Sequence, residues 1–178
     1  MNGRIPRVLA LPGSAREHST QKNLLRTVAA LAGDRFSVEI YAETASLPHF
    51  NPDLDTDPAP ESVTRFRSLL RAADGVLLCT PEYAMGVPGT LKNALDWTVS
   101  SAELYQKPTA LITASSQGYK GHAALMETLT IIGCIVPDAA QIIIPFIKTK
   151  VAEDGSITDA ETLFAVNGLI DSFAGILA

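Results

Sequence analysis

The sequence predicts an α/β protein built on a doubly wound parallel sheet of five strands. Five short apolar runs occur along the 178 residues, and segments with helical periodicity separate them. Most of the runs are apolar throughout, as expected of strands that helices cover on both faces. Right-handed crossovers then distribute the helices over the two faces of the sheet. Because 178 residues is a usual length for one domain, we expect residues 1–178 to form a single domain.

The strands are predicted from apolar or β-branched runs that turn residues bound. In chain order they occupy residues 7–14, 36–43, 75–79, 108–116 and 140–146. The first run ends in Pro-Gly-Ser, which predicts a turn directly after the strand. The second run alternates apolar and polar positions with period two, which is typical of a half-solvated strand.

The helices are predicted from apolar residues that recur every three or four positions. In chain order they occupy residues 19–33, 61–74, 88–100, 122–133 and 163–177. Gly33 suits the C-terminal end of the first helix, and Pro88 suits the first turn of the third. Residues 46–60 are too rich in Pro and Asp for regular structure, so they predict a polar loop before the second helix.

The composition disfavours several functional classes. Lys and Arg total 14 against 19 Asp and Glu, a net charge of −5, which argues against nucleic acids and anionic membranes as main partners. The first residues lack the apolar length of a signal peptide, and no apolar segment approaches the ~20 residues that cross a bilayer. Cys79 and Cys134 both lie in apolar runs and predict buried, reduced thiols. We therefore expect a cytoplasmic protein.

Two further patterns do not predict a metal site. Asp53, Asp55 and Asp57 alternate as in the start of a calcium loop, but Pro58 and Thr64 stand where the turn glycine and the bidentate Glu are needed. A solvated loop is therefore expected. The three histidines lie in separate loops and lack the spacing of metal ligands; they are His18, His49 and His122.

The loop after the first strand carries polar residues at a predicted helix N-terminus. Open parallel sheets bind ligands beyond the C-terminal ends of their strands, so this loop is a candidate site. The polar residues are Ser14, Arg16, Ser19, Thr20 and Gln21. Hydroxyls, a guanidinium and the free N–H groups of a helix start together suit a phosphate. The alternative is that Ser19 only caps the helix and Arg16 is a solvated charge. Because neither GxGxxG nor GxxxxGK[ST] occurs, dinucleotide and NTP sites of those types are disfavoured.

The loops after the third and fourth strands are suited to a flat heterocycle. The earlier loop comprises Pro81, Glu82, Tyr83, Ala84, Met85 and Gly86, and the later one includes Ser115, Ser116, Gln117 and Gly118. A Tyr ring, backbone N–H groups and a glycine that allows close approach would stack on such a ring and hydrogen-bond it. The alternative is a plain connection in which Tyr83 packs on the core. Because all three loops fall at one edge of the sheet, a shared site is the favoured hypothesis.

Three motifs in these loops resemble those of the NADPH-dependent FMN reductases, a flavodoxin-like family that includes quinone, azo-dye and chromate reductases. They are GSAR-x-x-S after the first strand, PEY-x-x-x-x-PG-x-LKNALDW after the third and S-x-G-x-x-G after the fourth. They occur in the family's order and span nearly the whole chain. The resemblance implies a three-layer αβα sandwich with strand order 2-1-3-4-5.

The resemblance also implies a cofactor and a reaction. FMN would be held noncovalently, with NADPH or NADH as hydride donor and ping-pong transfer through flavin N5 to quinones, free flavin or azo compounds. The FMN phosphate would be held by Ser14, Arg16, Ser19 and Gln21, with Thr20 adjacent. Residues 81–86 would line the isoalloxazine, and residues 115–118 would close its other side. A homodimer or homotetramer is implied, with residues 47–55 helping to build it, and no side chain is expected to act as an essential acid or base.

Gln21 and Ala84 depart from the family pattern, because family members often carry Asn at both positions. Glu82 is expected either to tune the pocket or to pair with a neighbouring subunit. A second functional class stays open: a flavodoxin-like electron carrier or flavin-binding regulatory module without turnover. Arg16 and the PEY motif favour the enzyme over that alternative.

Overall fold

Five parallel strands form the central sheet of the structure, a computed structural model that describes residues 4–16 and 19–178. His18 lies outside the described residues. The strands are β1 (Arg7–Pro12), β2 (Ser37–Ile40), β3 (Gly75–Thr80), β4 (Thr109–Ala114) and β5 (Gln141–Ile144). Their order is β2-β1-β3-β4-β5, and every neighbouring pair is parallel. The predicted doubly wound sheet and its order are confirmed.

Helices cover both faces of this sheet. They are α1 (Thr20–Ala32), α2 (Glu61–Ala72), α3 (Gly89–Asp96), α4 (Tyr119–Ile132), α5 (Ile147–Lys150) and α6 (Ala160–Leu177). The sequence did not predict α5, because a single turn is too short to show helical periodicity. The third helix ends earlier than predicted, since the residues after Asp96 form turns.

Alternate residues of β1, β3 and β4 belong to two separate hydrophobic cores. Val8 and Ala10 of β1 pack on the side of α1 and α6, whereas Leu9 and Leu11 pack on the side of α2, α3 and α4. All four side chains are at most 2% exposed. The result is the expected three-layer αβα sandwich.

The polar loop after β2 is held against α3 by two side chains of the LKNALDW motif. The Asn93 carboxamide accepts from Phe50 N at 2.7 Å and donates to Pro48 O at 3.0 Å. Trp97 Nε1 also donates to Pro48 O, at 2.8 Å, and its ring meets Phe50 edge-on with centroids 5.1 Å apart. Trp97 is fully buried in this packing.

One aspartate of this loop departs from the expected solvated loop. Asp53 and Asp57 are exposed, but Asp55 accepts from Arg67 Nη2 at 2.8 Å, and the two side chains are only 11% and 9% exposed. Arg67 also donates to Trp97 O from Nε and Nη2, at 2.8 and 2.6 Å. A nearly buried ion pair therefore joins the loop to α2 and to the end of α3.

Both cysteines are free, and burial raises the pKa of each thiol. Cys79 is fully buried, whereas Cys134 is half-buried and its pKa is raised to about 11. Because the thiolate is the reactive form, neither side chain is poised as a nucleophile at neutral pH. The predicted burial is confirmed for Cys79, whereas Cys134 is less buried than expected.

Among the described helices, α6 alone is long and apolar enough to span a membrane by length and composition. Its apolar stripe, however, packs on the sheet and on α1: Val166, Leu169, Ile170 and Phe173 are at most 1% exposed. The Phe173 ring also meets the Phe36 ring edge-on, with centroids 5.4 Å apart. These apolar side chains therefore serve the packing of α6 on the sheet.

Candidate functional site

A cleft of about 1270 Å³ lies where the C-terminal ends of β1, β4 and β5 and the loop after β3 meet. It is larger than the roughly 300–1000 Å³ of common small-molecule pockets, so it has room for more than one ligand. A second cavity of about 170 Å³ lies at the opposite end of the sheet, between β1, β2 and α2. That cavity is too small for a nucleotide, so the larger cleft is the candidate site.

The cleft brings together ten of the predicted site residues. They are Ser14, Arg16, Ser19, Thr20, Gln21, Pro81, Glu82, Tyr83, Ser115 and Ser116. The five that do not line it are Ala84, Met85, Gly86, Gln117 and Gly118. The prediction that the three loops share one site therefore agrees with their placement in the fold.

The first loop presents two buried hydroxyls beside the start of α1. Ser19 is 4% exposed and caps the helix, because its Oγ accepts from Lys22 N at 3.1 Å. Ser14 is 2% exposed, and its Oγ accepts from Arg16 N at 3.3 Å. The first N–H groups of a helix have no intrahelical partners, so those of Thr20 and Gln21 are not used by α1 itself. Capping by Ser19 and anion binding at this helix start are therefore compatible.

Arg16 is exposed, and within the described residues it has no carboxylate partner. It thus differs from Arg65, Arg67 and Arg71, which all pair with carboxylates elsewhere in the fold. An unpaired guanidinium beside two hydroxyls and a helix N-terminus favours an anionic group such as a phosphate.

Gln21 ties the first loop to the neighbouring strand end. It is 7% exposed, and its Nε2 donates to Ala114 O, at the end of β4, at 2.9 Å. The carboxamide thus already has a partner within the protein. Its position in the cleft wall agrees with the prediction, while its side chain holds α1 against β4.

Glu82 joins the second and third loops. Its backbone N donates to Ser115 Oγ at 3.2 Å, and its Oε2 accepts from Gly121 N, in the first turn of α4, at 2.6 Å. A Cβ at Gly121 would lie 3.0 Å from Gly86 O and 3.0 Å from Glu82 Cγ, so this close approach depends on a glycine. The carboxylate therefore caps α4, a role that neither expectation for Glu82 included.

The second loop turns back on itself through two residues in the left-handed region. Tyr83 N donates to Gly86 O at 3.1 Å, and Gly86 N donates to Tyr83 O at 2.8 Å. Between them, Ala84 and Met85 have φ values of 49° and 61°. Two successive positive φ values define the tight turn that Asn-Gly favours. Because the N–H groups of Glu82 and Tyr83 are paired within the protein, this loop offers the cleft the surfaces of Pro81 and Tyr83 rather than free donors.

Replacing Ala84 by asparagine is expected to stabilise the protein by about 0.5–1 kcal/mol, because Asn tolerates the left-handed region better than Ala. For a chain of this size that corresponds to a rise of roughly 1–4 °C in Tm. Ala102, an exposed alanine with φ 57° outside the cleft, provides a matched control. Thermal unfolding should show a gain for both Ala84→Asn and Ala102→Asn. A loss for Ala84→Asn alone would contradict this account of the turn.

One whole wall of the cleft, which follows β5, was not predicted from the sequence; it is formed by residues 146–149 and 151–153. Phe146 N donates to Ser116 O and Ile147 N donates to Ser115 O, both at 3.1 Å. Farther along this segment, Asn23 Nδ2 donates to Glu153 O at 2.6 Å. The predicted topology could have indicated this wall, because β5 is parallel to β4 and its C-terminal end falls at the same edge of the sheet.

The residues that line the cleft support the binding of a ligand with an anionic group. Among the described residues there is no cluster of His, Cys, Asp and Glu side chains that would hold a metal ion. His122 bridges Thr113 Oγ1 at 2.9 Å and Gln141 Oε1 at 2.8 Å, so it connects α4 with β4 and β5. With hydroxyls and a guanidinium at one end and Pro81 and Tyr83 at the other, the cleft fits a flat molecule with an anionic tail.

Comparisons with known proteins point in one direction. The sequence model of the family described as NADPH-dependent FMN reductase matches residues 6–149. The chain is 32% identical over 174 residues to a quinone reductase of Escherichia coli K12, covering 93% of this chain and 92% of that protein. It is 28% identical over 179 residues to an NADH-dependent flavin reductase subunit 2 of Lactobacillus johnsonii, covering 94% and 95%.

A solved structure also matches over nearly the full length of the chain. It is the flavoenzyme NAD(P)H:(acceptor) oxidoreductase FerB from Paracoccus denitrificans, with a TM-score of 0.86, 31% sequence identity and 97% of both chains covered. The similarity therefore includes all four loops that line the cleft.

Proposed function

The chain belongs to the NADPH-dependent FMN reductase family, and from that premise we propose how its cleft holds FMN and which acceptors it serves. It is an FMN-dependent NAD(P)H oxidoreductase with a flavodoxin-like fold. FMN, when bound, would supply the redox chemistry between NAD(P)H and an acceptor. The protein supplies binding, orientation and exclusion of water. The alternative of a carrier or regulatory module without turnover is not retained.

The phosphate of FMN binds at the start of α1. Its ligands are the hydroxyls of Ser14 and Ser19, the guanidinium of Arg16 and the backbone N–H groups of Thr20 and Gln21. The observation that carries this proposal is the placement of Arg16, which has no carboxylate partner among residues 4–16 and 19–178, beside two buried hydroxyls and a helix N-terminus at one end of a cleft large enough for a nucleotide. Gln21 contributes through its backbone, because its carboxamide already binds Ala114 O.

The isoalloxazine lies between the loops after β3 and β4. Pro81 and Tyr83 provide its flat apolar contacts, and Ser115 and Ser116 border its other side. Glu82 holds these two loops together through Ser115 and Gly121. The remaining predicted residues shape the turns that place this surface; they are Ala84, Met85, Gly86, Gln117 and Gly118.

NAD(P)H and the acceptor use the part of the cleft that FMN leaves free, one after the other. The acceptors we propose are quinones, free flavin and azo compounds, and one shared site gives ping-pong exchange. We further propose that residues 1–178 form one FMN-binding domain, that the protein is cytoplasmic and that it is a homodimer or homotetramer. The exposed Tyr83, Met85 and Tyr119 near the cleft support a second copy close to the site.

Replacing Arg16 by alanine is expected to weaken FMN binding about 10- to 100-fold, the loss typical of one charge-assisted contact. Riboflavin, which lacks the phosphate, should bind the variant and the parent protein equally. Titrations of the apoprotein with both flavins, followed by the quenching of flavin fluorescence, measure the two affinities. Arg65→Ala is the matched control, since Arg65 lies on α2 and pairs with Glu43 outside the cleft.

Two results would contradict the proposed function. If the parent protein shows no saturable binding of FMN, the cleft is not a flavin site. If Arg16→Ala weakens FMN and riboflavin equally, the phosphate does not lie at the start of α1, and the assignment of the first loop is wrong.

A further inference from the structure

Phe146 is the most unusual cleft residue that the FMN assignment leaves unused. Its backbone has φ 54° and ψ 40°, in the left-handed region that bulky residues rarely adopt. Its side chain is 63% exposed and lines the cleft. A strained backbone and an exposed apolar ring both cost stability, so packing does not explain this conformation. The combination is typical of a residue whose surroundings hold it in place for a ligand.

The segment around Phe146 is firmly attached to the end of β4. Phe146 N donates to Ser116 O and Ile147 N donates to Ser115 O, both at 3.1 Å, while Thr149 N donates to Phe146 O at 2.9 Å. Ile147, the next residue, is only 6% exposed and packs in the core. The backbone that carries the ring is therefore set relative to the two serines that border the proposed flavin site.

The strand order places Phe146 and Tyr83 on opposite sides of β4. Tyr83 follows β3, Phe146 follows β5, and β4 lies between those two strands. With about 4.8 Å between neighbouring strands, the two loops are separated by roughly 9–10 Å at the sheet. Two flat rings stacked between two surfaces need roughly 10–11 Å, which is close to this separation, so the flavin ring on Tyr83 and one further ring would fit between the two loops. Tyr83 is also exposed, at 49%, so both aromatic rings are available to a ligand in the cleft.

We propose that Phe146 is a stacking residue for the flat ring of the electron acceptor. It thereby makes the enzyme select planar aromatic acceptors, such as naphthoquinones, over small inorganic oxidants that offer no flat surface. The inference rests on the proposed function, in which the phosphate of FMN occupies the Arg16 end of the cleft. Arg16 and Phe146 then serve different ligands, and their variants separate the two proposals.

The test uses Phe146→Asn, which removes the ring and suits the left-handed backbone. The FMN-loaded protein without NAD(P)H is titrated with 1,4-naphthoquinone, so that no turnover contributes. The affinity should fall about tenfold, the change expected for the loss of one stacking contact. In turnover, the ratio of kcat/KM for naphthoquinone to kcat/KM for ferricyanide should fall by a similar factor. Phe146→Tyr, which keeps an aromatic ring, should show the naphthoquinone affinity and the kcat/KM ratio of the parent protein.

The unfolding temperature distinguishes a ligand-stacking role of Phe146 from a structural role. Phe146→Asn should unfold at the same temperature as the parent protein or higher, because it relieves the strained backbone. A merely structural Phe146 predicts a lower Tm instead. Phe164, which is 81% exposed on α6 outside the cleft, provides the matched control, and Phe164→Asn should not change the acceptor ratio.

Three outcomes would overturn the inference. They are an unchanged naphthoquinone affinity in Phe146→Asn, an equal loss for naphthoquinone and ferricyanide, and a failure of Phe146→Tyr to restore binding. In each case the parent protein still binds FMN and oxidises NAD(P)H, so the proposed function stands. A parent protein that binds no FMN would instead remove the proposed function and this inference together.

Discussion

Replacing Gly13 by alanine is expected to destabilise the protein by about 3 kcal/mol or more and to abolish FMN binding. A Cβ at this position would lie 2.1 Å from Thr80 Oγ1, 2.5 Å from Thr80 Cβ and 2.9 Å from Thr80 Cα. The last contact is with the backbone of β3, which cannot move by a change of rotamer. Gly13 N also donates to Cys79 O at 2.8 Å. This hydrogen bond holds the turn after β1 close to β3, where the added Cβ would clash with Thr80.

Relief of the clash requires the turn after β1 to move away from β3. That turn carries Ser14 and Arg16, so the movement separates the proposed phosphate ligands from the loop after β3. Stability and FMN affinity should therefore fall together. Urea unfolding and FMN titration of Gly13→Ala measure the two effects.

Gly168→Ala is the matched control for this glycine. Gly168 lies within α6, and a Cβ there would meet no atom within 4 Å. Because alanine has the better helix propensity, this variant should gain about 0.5–1 kcal/mol and keep its FMN affinity. If Gly13→Ala unfolds at the same urea concentration as the parent protein, the close approach of the two loops is not a requirement of the fold.

The sequence predicted the sheet, every described helix except α5 and ten of the cleft residues because those features are encoded locally. A strand is visible as an apolar run, and the start of α1 is visible as Ser19 followed by residues with helical spacing. The side-chain partners were not visible, because they join distant positions. Gln21 binds the backbone of Ala114, 93 residues away, and Glu82 caps α4 through Gly121, 39 residues away.

The wall after β5 was missed for a different physical reason. Phe146 follows an apolar run and lies beside a proline, so it was assigned to the predicted strand. Only the backbone conformation, with its positive φ, turns this side chain out of the core and into the cleft. No periodicity marks a single residue in the left-handed region, and α5 is one turn long. We propose that Phe146 selects the acceptor. This residue was therefore the part of the site that was hardest to predict from local sequence.

Replacing Arg67 by methionine is expected to cost about 3 kcal/mol, because it removes the cation beside Asp55 and the guanidinium donors to the carbonyl of Trp97 in a nearly buried position. Arg65→Met is the matched control two residues earlier on α2. Arg65 is 63% exposed and pairs with Glu43 at 3.1 Å, and an exposed pair of this kind contributes less than about 1 kcal/mol. Urea unfolding at pH 7 should separate the two variants clearly.

The pH dependence gives a second measure of the Arg67 pair. Hydrogen bonds from Ser100 and Arg67 lower the pKa of Asp55 below its usual value of 3.8. A carboxylate whose pKa is lowered by folding stabilises the protein above its unfolded pKa, and this contribution disappears as the pH falls through the folded pKa. The stability difference between the parent protein and Arg67→Met should thus be full at pH 7 and shrink below about pH 4. A difference that stays constant down to pH 3 would show that Arg67 acts through Trp97 alone. FMN affinity should change little, since Arg67 joins the loop after β2 to the far end of α3 and does not line the cleft.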